Sequence, residues 1–152
     1  MSYNLKLFKE AIDHCRWKKV LEPILQQINI SDYENQTFEE IFSKIYNICK
    51  PIYGLGRLVI YDITSAICRV NKINIDKVFI VGNGPKKACI ILGIKPKLYK
   101  INNYIKIHYV EIDEILNALI IRREILDYSI KVCKNGDILE TFICNWQKMH
   151  LT

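Results

Sequence analysis

The sequence predicts a mainly α protein: a compact helical domain, with room for a short strand pair near residues 98–110. Three observations predict it. Apolar residues recur at three- and four-residue steps along most of the chain, the spacing that gives a helix one buried stripe. Thr37-Phe38-Glu39-Glu40 and Asp137-Ile138-Leu139-Glu140 have the form of capping boxes, each opening a helix. Two Gly-x-Gly turns, Gly54-Leu55-Gly56 and Gly82-Asn83-Gly84, stand 28 residues apart, each directly before a helix-like apolar segment. At 152 residues, 50% of them hydrophobic, the chain is long enough for a real core. It reads as one domain, 1–152, in three parts: a helical N-terminal part over 1–36, the two turns and their helices over 37–94, and a helical C-terminal part over 95–152.

Taken in order, Leu5, Phe8, Ile12 and Cys15 mark an amphipathic helix over Asn4 to Cys15. The basic stretch Arg16-Trp17-Lys18-Lys19 reads as a helix junction with Trp17 packed inward. Helix resumes from Val20 to Ile28, and Asn29 to Gln36 is a polar loop. The Thr37 box opens a helix with Phe38, Ile41, Ile45 and Ile48 on its buried face; Pro51 ends it, because the residue before proline avoids the helical region. Arg57 to Val70 forms the next helix, with Val59, Ile63, Ala66 and Val70 as its stripe. Asn71 to Val81 fits either a buried strand or a short helix. Pro85 to Leu92 is helical, with Pro85 at the first position and Gly93 as the stop. Ile94 to Val110 is rich in lysine and tyrosine and alternates as a strand pair does. Glu111 to Cys133 reads as the longest helix, Asn135-Gly136 as a turn, and Asp137 to Lys148 as a last helix with Leu139, Phe142, Ile143 and Trp146 inward.

The formal net charge of +6 and a pI near 9.0 favour a polyanionic partner. Six cysteines contain no Cys-x-x-Cys pair, and Cys68, Cys89 and Cys133 sit among apolar residues as buried, reduced thiols do. With His14, His108 and His150 dispersed, no metal site and no cofactor is expected. The first residues lack a signal-peptide core, and no apolar run is long enough for a membrane span. The expected setting is therefore intracellular and reducing, cytoplasmic or nuclear, with no membrane partner.

The chemistry of the two turns follows from backbone physics. A helix that starts just after glycine leaves its first amides unpaired, and these suit a phosphate oxygen. Lys86 and Lys87 bring positive charge to the second turn and Arg57 to the first. At these residues the sequence resembles the helix-hairpin-helix DNA-binding motif, two helices joined by a Gly-hydrophobic-Gly hairpin. Gly54-Leu55-Gly56 matches the hairpin in full. Gly82-Asn83-Gly84-Pro85-Lys86-Lys87-Ala88 matches its Gly-x-Gly-Pro-Lys-x-Ala form and departs at Asn83, where the family has an apolar residue. The resemblance spans about Thr37 to Ile94. It implies that amides around Gly54, Leu55, Gly56 and Arg57, and around Gly82, Gly84, Lys86 and Lys87, grip the backbone of double-stranded DNA without reading sequence. Leu55 would plug between the helices, and Gly56 would occupy a turn that needs a positive φ.

Two other functions compete. A helical protein-interaction module, or a homodimer, would use the turns only structurally and meet its partner through exposed apolar residues. A fainter similarity connects the chain to the helix-hairpin-helix base-excision glycosylases. Ile75-Asp76-Lys77-Val78 stands 22 residues past Gly54, near the spacing of that family's catalytic aspartate. That similarity would make Asp76 the group that stabilises an oxocarbenium-like sugar. In the glycosylases' lyase-type members a lysine follows the second glycine by two residues; here that position is Leu58. Binding without catalysis is the reading the sequence favours.

Overall fold

The computed structural model describes residues 26–52 and 55–150, and the chain forms two compact units, 1–73 and 74–152. The boundary falls between the two glycine turns. The expected helix over Asn4 to Cys15, the Arg16 to Lys19 junction and most of the helix ending at Ile28 lie outside the described residues; Gln26 and Gln27, within them, form a turn.

In the first unit a 3-10 turn, Ile30–Tyr33, precedes helix α1, Phe38–Cys49, and helix α2, Arg57–Val70. Thr37 caps α1 as expected: its hydroxyl accepts from the Glu40 amide at 3.2 Å. The return contact differs from a full capping box. The Glu40 carboxylate accepts a hydrogen bond from the Thr37 hydroxyl, at 3.3 Å. Helix α1 buries Phe38, Ile41, Phe42, Ile45 and Cys49, and the Phe38 ring lies 6.1 Å from Tyr61 on α2. Helix α2 runs over the predicted residues and is buried on nearly every side. The buried hydroxyls of Thr64 and Ser65 are satisfied locally, Thr64 donating to the Ile60 carbonyl at 2.7 Å and Ser65 to the Asp62 carbonyl at 3.1 Å. It ends with Lys72 at φ 55° and the Ile73 amide bonded back to the Cys68 carbonyl at 2.8 Å, a Schellman closure made without glycine.

The second unit is a three-stranded antiparallel sheet with helices packed on one face. The elements are β1 (Lys77–Ile80), α3 (Asn83–Leu92), β2 (Lys97–Lys100), β3 (Lys106–Glu111), α4 (Ile112–Ile121), α5 (Tyr128–Lys131) and α6 (Gly136–Lys148), and the strand order is β1-β3-β2. Val78, Ile80 and Val110 share one sheet face, since successive side chains alternate. They pack into a core with Ala88 and Cys89 of α3, Ile115 and Leu119 of α4, and Leu139, Ile143 and Trp146 of α6. Phe79, on the opposite face, is also buried, so β1 is covered on both sides.

The expectation of a mainly α chain is therefore corrected to a mixed α/β one. The strand pair near 98–110 is present as β2 and β3, but a third strand joins it: the ambiguous 71–81 stretch contains β1, whose four residues pair with Ile80 opposite His108 and Lys77 opposite Glu111. The long helix over Glu111 to Cys133 is also corrected. It breaks after Ile121, where Arg123 takes φ 60° and the Glu124 amide bonds to the Leu119 carbonyl at 3.1 Å. At the last helix the cap is Asn135, accepting from the Asp137 and Ile138 amides at 2.9 and 3.2 Å; Asp137 is buried in the first turn. Gly136 opens that helix because a Cβ there would meet the Lys77 carbonyl. Helix α3 stops as expected, with Gly93 in the left-handed region at φ 71°.

Candidate nucleic-acid interface

The first turn sits in the first unit. Leu55 is half-buried; Gly56, Arg57 and Leu58 are exposed; Gly54 lies outside the described residues. Gly56 holds the N-cap position of α2 and supplies no side-chain cap. The first intrahelical bond is made by the Ile60 amide to the Gly56 carbonyl, at 3.3 Å, so the amides of Arg57, Leu58 and Val59 come before the helical ladder begins. The expectation that Gly56 needs a positive φ is corrected: it is extended, at φ −99° and ψ −173°, and a Cβ built on it meets nothing within 4 Å.

The second turn joins β1 to α3, which corrects the reading of this stretch as a second helix–hairpin–helix. A strand enters it, and only the helix leaving it matches the motif. Gly82 is the N-cap, again with no side-chain cap, and the helix begins at Asn83, so Pro85 stands third and not first. Proline remains tolerable there, since its missing N–H belongs to the unladdered first turn. Asn83, Lys86 and Lys87 are exposed, and Pro85 is buried. Gly84 faces Cys144 on α6 so closely that a Cβ would run into the thiol sulfur. Its absent side chain lets α3 lie against α6.

Sheet register decides which candidates meet in this unit. Ile80 stands opposite His108, and His108 opposite Leu98. The end of β1 that runs into Gly82 therefore points to the same end of the sheet as Lys100, Lys106 and the turn between them. Asp76 precedes Lys77 at the other end. Beyond the four residues of β1, at about 3.3 Å each, Asp76 is more than about 10 Å from the Gly82 turn. Its side chain is 73% exposed and its carboxylate lies 3.4 Å from the neighbouring Lys77 ammonium. That ammonium also sits 4.9 Å from the Tyr99 ring centre.

Burial disfavours the thiolate form of the cysteines near the second turn. Burial, reinforced by the Glu114 carboxylate, pushes Cys89 up to about 11. Burial and Glu140 raise Cys144, against a smaller lowering by Lys148. Among the described residues no group of three or more His, Cys, Asp or Glu is placed to hold a metal ion, and no helix is long and apolar enough to cross a membrane. The sequence reading missed two features of this region. One is the structural reason for Gly84, which lies in a residue 60 positions away; the other is the shared end of the sheet, which only strand register reveals.

These features describe a small α/β protein with exposed cations at helix starts, a class suited to nucleic acid. A family model described as Amino acid:DNA transferase matches residues 10–151, nearly the whole chain. The chain belongs to that family, and its domain is DNA-related. No curated protein and no solved structure matches it.

Proposed function

We propose that this chain engages DNA through the phosphate backbone, without reading sequence, and that it does so within the transfer of an amino acid to DNA. The family match supports the DNA-related part and suggests the transfer. The observation that carries the binding mode is the start of α3: uncapped amides at Asn83 and Gly84, with exposed Lys86 and Lys87 one turn on. Amides fix a phosphate oxygen by geometry and the ammonium groups add attraction that salt screens. The start of α2, with Arg57 exposed, is a second such grip in the other unit. A transferase needs its DNA held while one nucleotide reacts, and sequence-blind backbone contacts supply that.

The test is a titration of a labelled mixed-sequence duplex at several salt concentrations. Binding weakens as salt rises, and Lys86→Ala with Lys87→Ala flattens the salt dependence by up to about two units, one for each lost phosphate contact. Both side chains are exposed, so the double variant stays folded. A wild-type chain that does not bind at low salt overturns the reading, and a folded double variant with an unchanged slope removes α3 from the interface.

A second reading, a protein-interaction surface, is favoured by the exposed apolar residues Ile121, Ile125 and Tyr128 around the end of α4 and the start of α5. The base-excision reading through Asp76 draws no comparable support. Its carboxylate is open to water and is paired with its own neighbour.

A further inference from the structure

The hairpin made by β2 and β3 is strongly basic, and Glu111, at the end of β3, is its one acidic residue. Residues 95–110 contain Lys95, Lys97, Lys100 and Lys106 and no acidic residue, a net +4 from sixteen residues, where all 152 sum to +6. All four lysines are exposed. Lys100 and Lys106 stand directly opposite each other in the ladder. Like charges in that position repel, and a polyanion laid across them removes the cost. Next inward on the same face, Leu98 pairs with His108, both exposed. This is the face that farther along carries Val78, Ile80 and Val110 into the helical core. The helices cover it under β1 and leave it open under β2, at the end of the sheet where α3 begins.

The tip is ordered. The Ile101 amide bonds to the Ile105 carbonyl at 2.8 Å, and the Asn102 side-chain oxygen accepts from the Tyr104 and Ile105 amides at 2.8 and 3.0 Å. That turn holds Tyr104 out with its side chain 90% exposed, while Ile101 and Ile105 on either side are buried. Lysines alone on an edge strand would be explained as protection against strand pairing. An aromatic ring held in water at the tip, with Leu98 56% exposed beside the lysines, is not.

We infer that the β2–β3 hairpin is a DNA-contacting wing, in which Lys100 and Lys106 follow the phosphates and Tyr104 stacks on an unpaired base. Aromatic rings stack on any base, so the contact is sequence-tolerant, and a β-ribbon with basic edges is narrow enough to follow a DNA groove. The inference rests on the DNA reading above and extends it: the chain prefers DNA with an unstacked base over perfect duplex, because only an unstacked base offers Tyr104 a free face. This wing and the start of α3 lie at the same end of the sheet.

The experiment compares two labelled probes, a perfect duplex and the same duplex with a central unpaired bubble, by fluorescence anisotropy at low and moderate salt. Wild type binds the bubble more tightly. Tyr104→Ala loses about tenfold on the bubble and little on the duplex, and Tyr104→Phe keeps the preference. Lys100→Ala with Lys106→Ala weakens both probes and lowers the salt slope by up to about two units. If wild type binds both probes equally, or if Tyr104→Ala binds like wild type, the wing is wrong and the DNA reading stands. If wild type binds neither probe, the DNA reading itself falls. Circular dichroism on each variant confirms that an effect on binding is not loss of fold.

Discussion

The turn before α2 and the turn before α3 share Gly-x-Gly, yet glycine stands in them for different reasons. Gly56 has open space around its missing Cβ and an ordinary extended backbone, so nothing local forbids a side chain there. What glycine leaves is an uncovered helix start. Gly84 faces the Cys144 sulfur, and a side chain would push α3 off α6. The chain enters the two turns differently as well, the second from a strand and α2 from a segment following helix α1. A short motif fixes a pattern of residues, and the surroundings decide whether each glycine serves packing or access.

The largest effect that tests this contrast is on stability. Gly84→Ala destabilises the second unit by about 1–3 kcal/mol, the usual cost of forcing a methyl group into a packed contact. Cys144→Ala in the same chain recovers part of that loss by removing the obstructing sulfur. Denaturant midpoints of the two single variants and the double variant measure the coupling. If Gly84→Ala is neutral, or if Cys144→Ala gives no relief, packing is not the reason for this glycine.

The contrast also shows what the sequence makes legible. The start and the body of helix α2 were readable because a glycine turn precedes it and an apolar stripe runs through it. The Thr37 cap was readable because its partner, Glu40, is three residues away. Strand β1 was not, because four apolar-rich residues fit a strand or a helix turn equally well and its partner strand begins some 30 positions later. The break after α4 was hidden because Arg123, not glycine, takes the left-handed position; Lys72 hides the end of α2 in the same way. Of the candidate site, exposed charge at Arg57, Lys86 and Lys87 could be read locally. The gathering of the Gly82 turn and the β2–β3 hairpin at one end of the sheet could not, since strand order is a long-range property.

A second test asks whether the helices beside the two turns are equally dry. Cys49 ends α1, ahead of the first turn, and Cys89 lies in α3, just after the second. Burial pushes each thiol from 9.0 up to about 11, with Glu114 adding to the effect at Cys89. Because the folded state raises these values, the associated stability is fully present below pH 9 and is lost as pH climbs from 9 towards 11. At pH 10 the preference of each thiol for its neutral form is worth about 1 kcal/mol. Denaturation at pH 8 and pH 10 measures it. Wild type loses more stability over that interval than a chain carrying Cys49→Ala and Cys89→Ala, since lysines and tyrosines titrate in both. Equal losses would mean that the thiols remain accessible to water, and the same comparison made with Cys49→Ala and Cys89→Ala separately shows whether both helices are dry.

The smallest effect on stability isolates the first turn. An aspartate at position 56 has room for its side chain and needs no unusual backbone angle. At an N-cap its carboxylate accepts from the amides of the first helical turn and places negative charge at the positive end of the helix. Gly56→Asp is therefore expected to stabilise the first unit by a few tenths of a kcal/mol. The same contact occupies the amides that would receive a phosphate oxygen and sets an anion where the DNA backbone would lie. If those amides grip DNA, binding to a mixed duplex weakens by about tenfold, the cost of losing one charge-assisted contact. If the first turn is only a connector, stability rises by the same few tenths and binding does not move. Gly56→Ala separates the two ideas further, because it adds bulk without filling the amides; it lowers helix stability slightly and leaves DNA binding near wild type. A chain in which alanine and aspartate weaken binding alike would indicate that side-chain bulk, and not amide access, controls this turn.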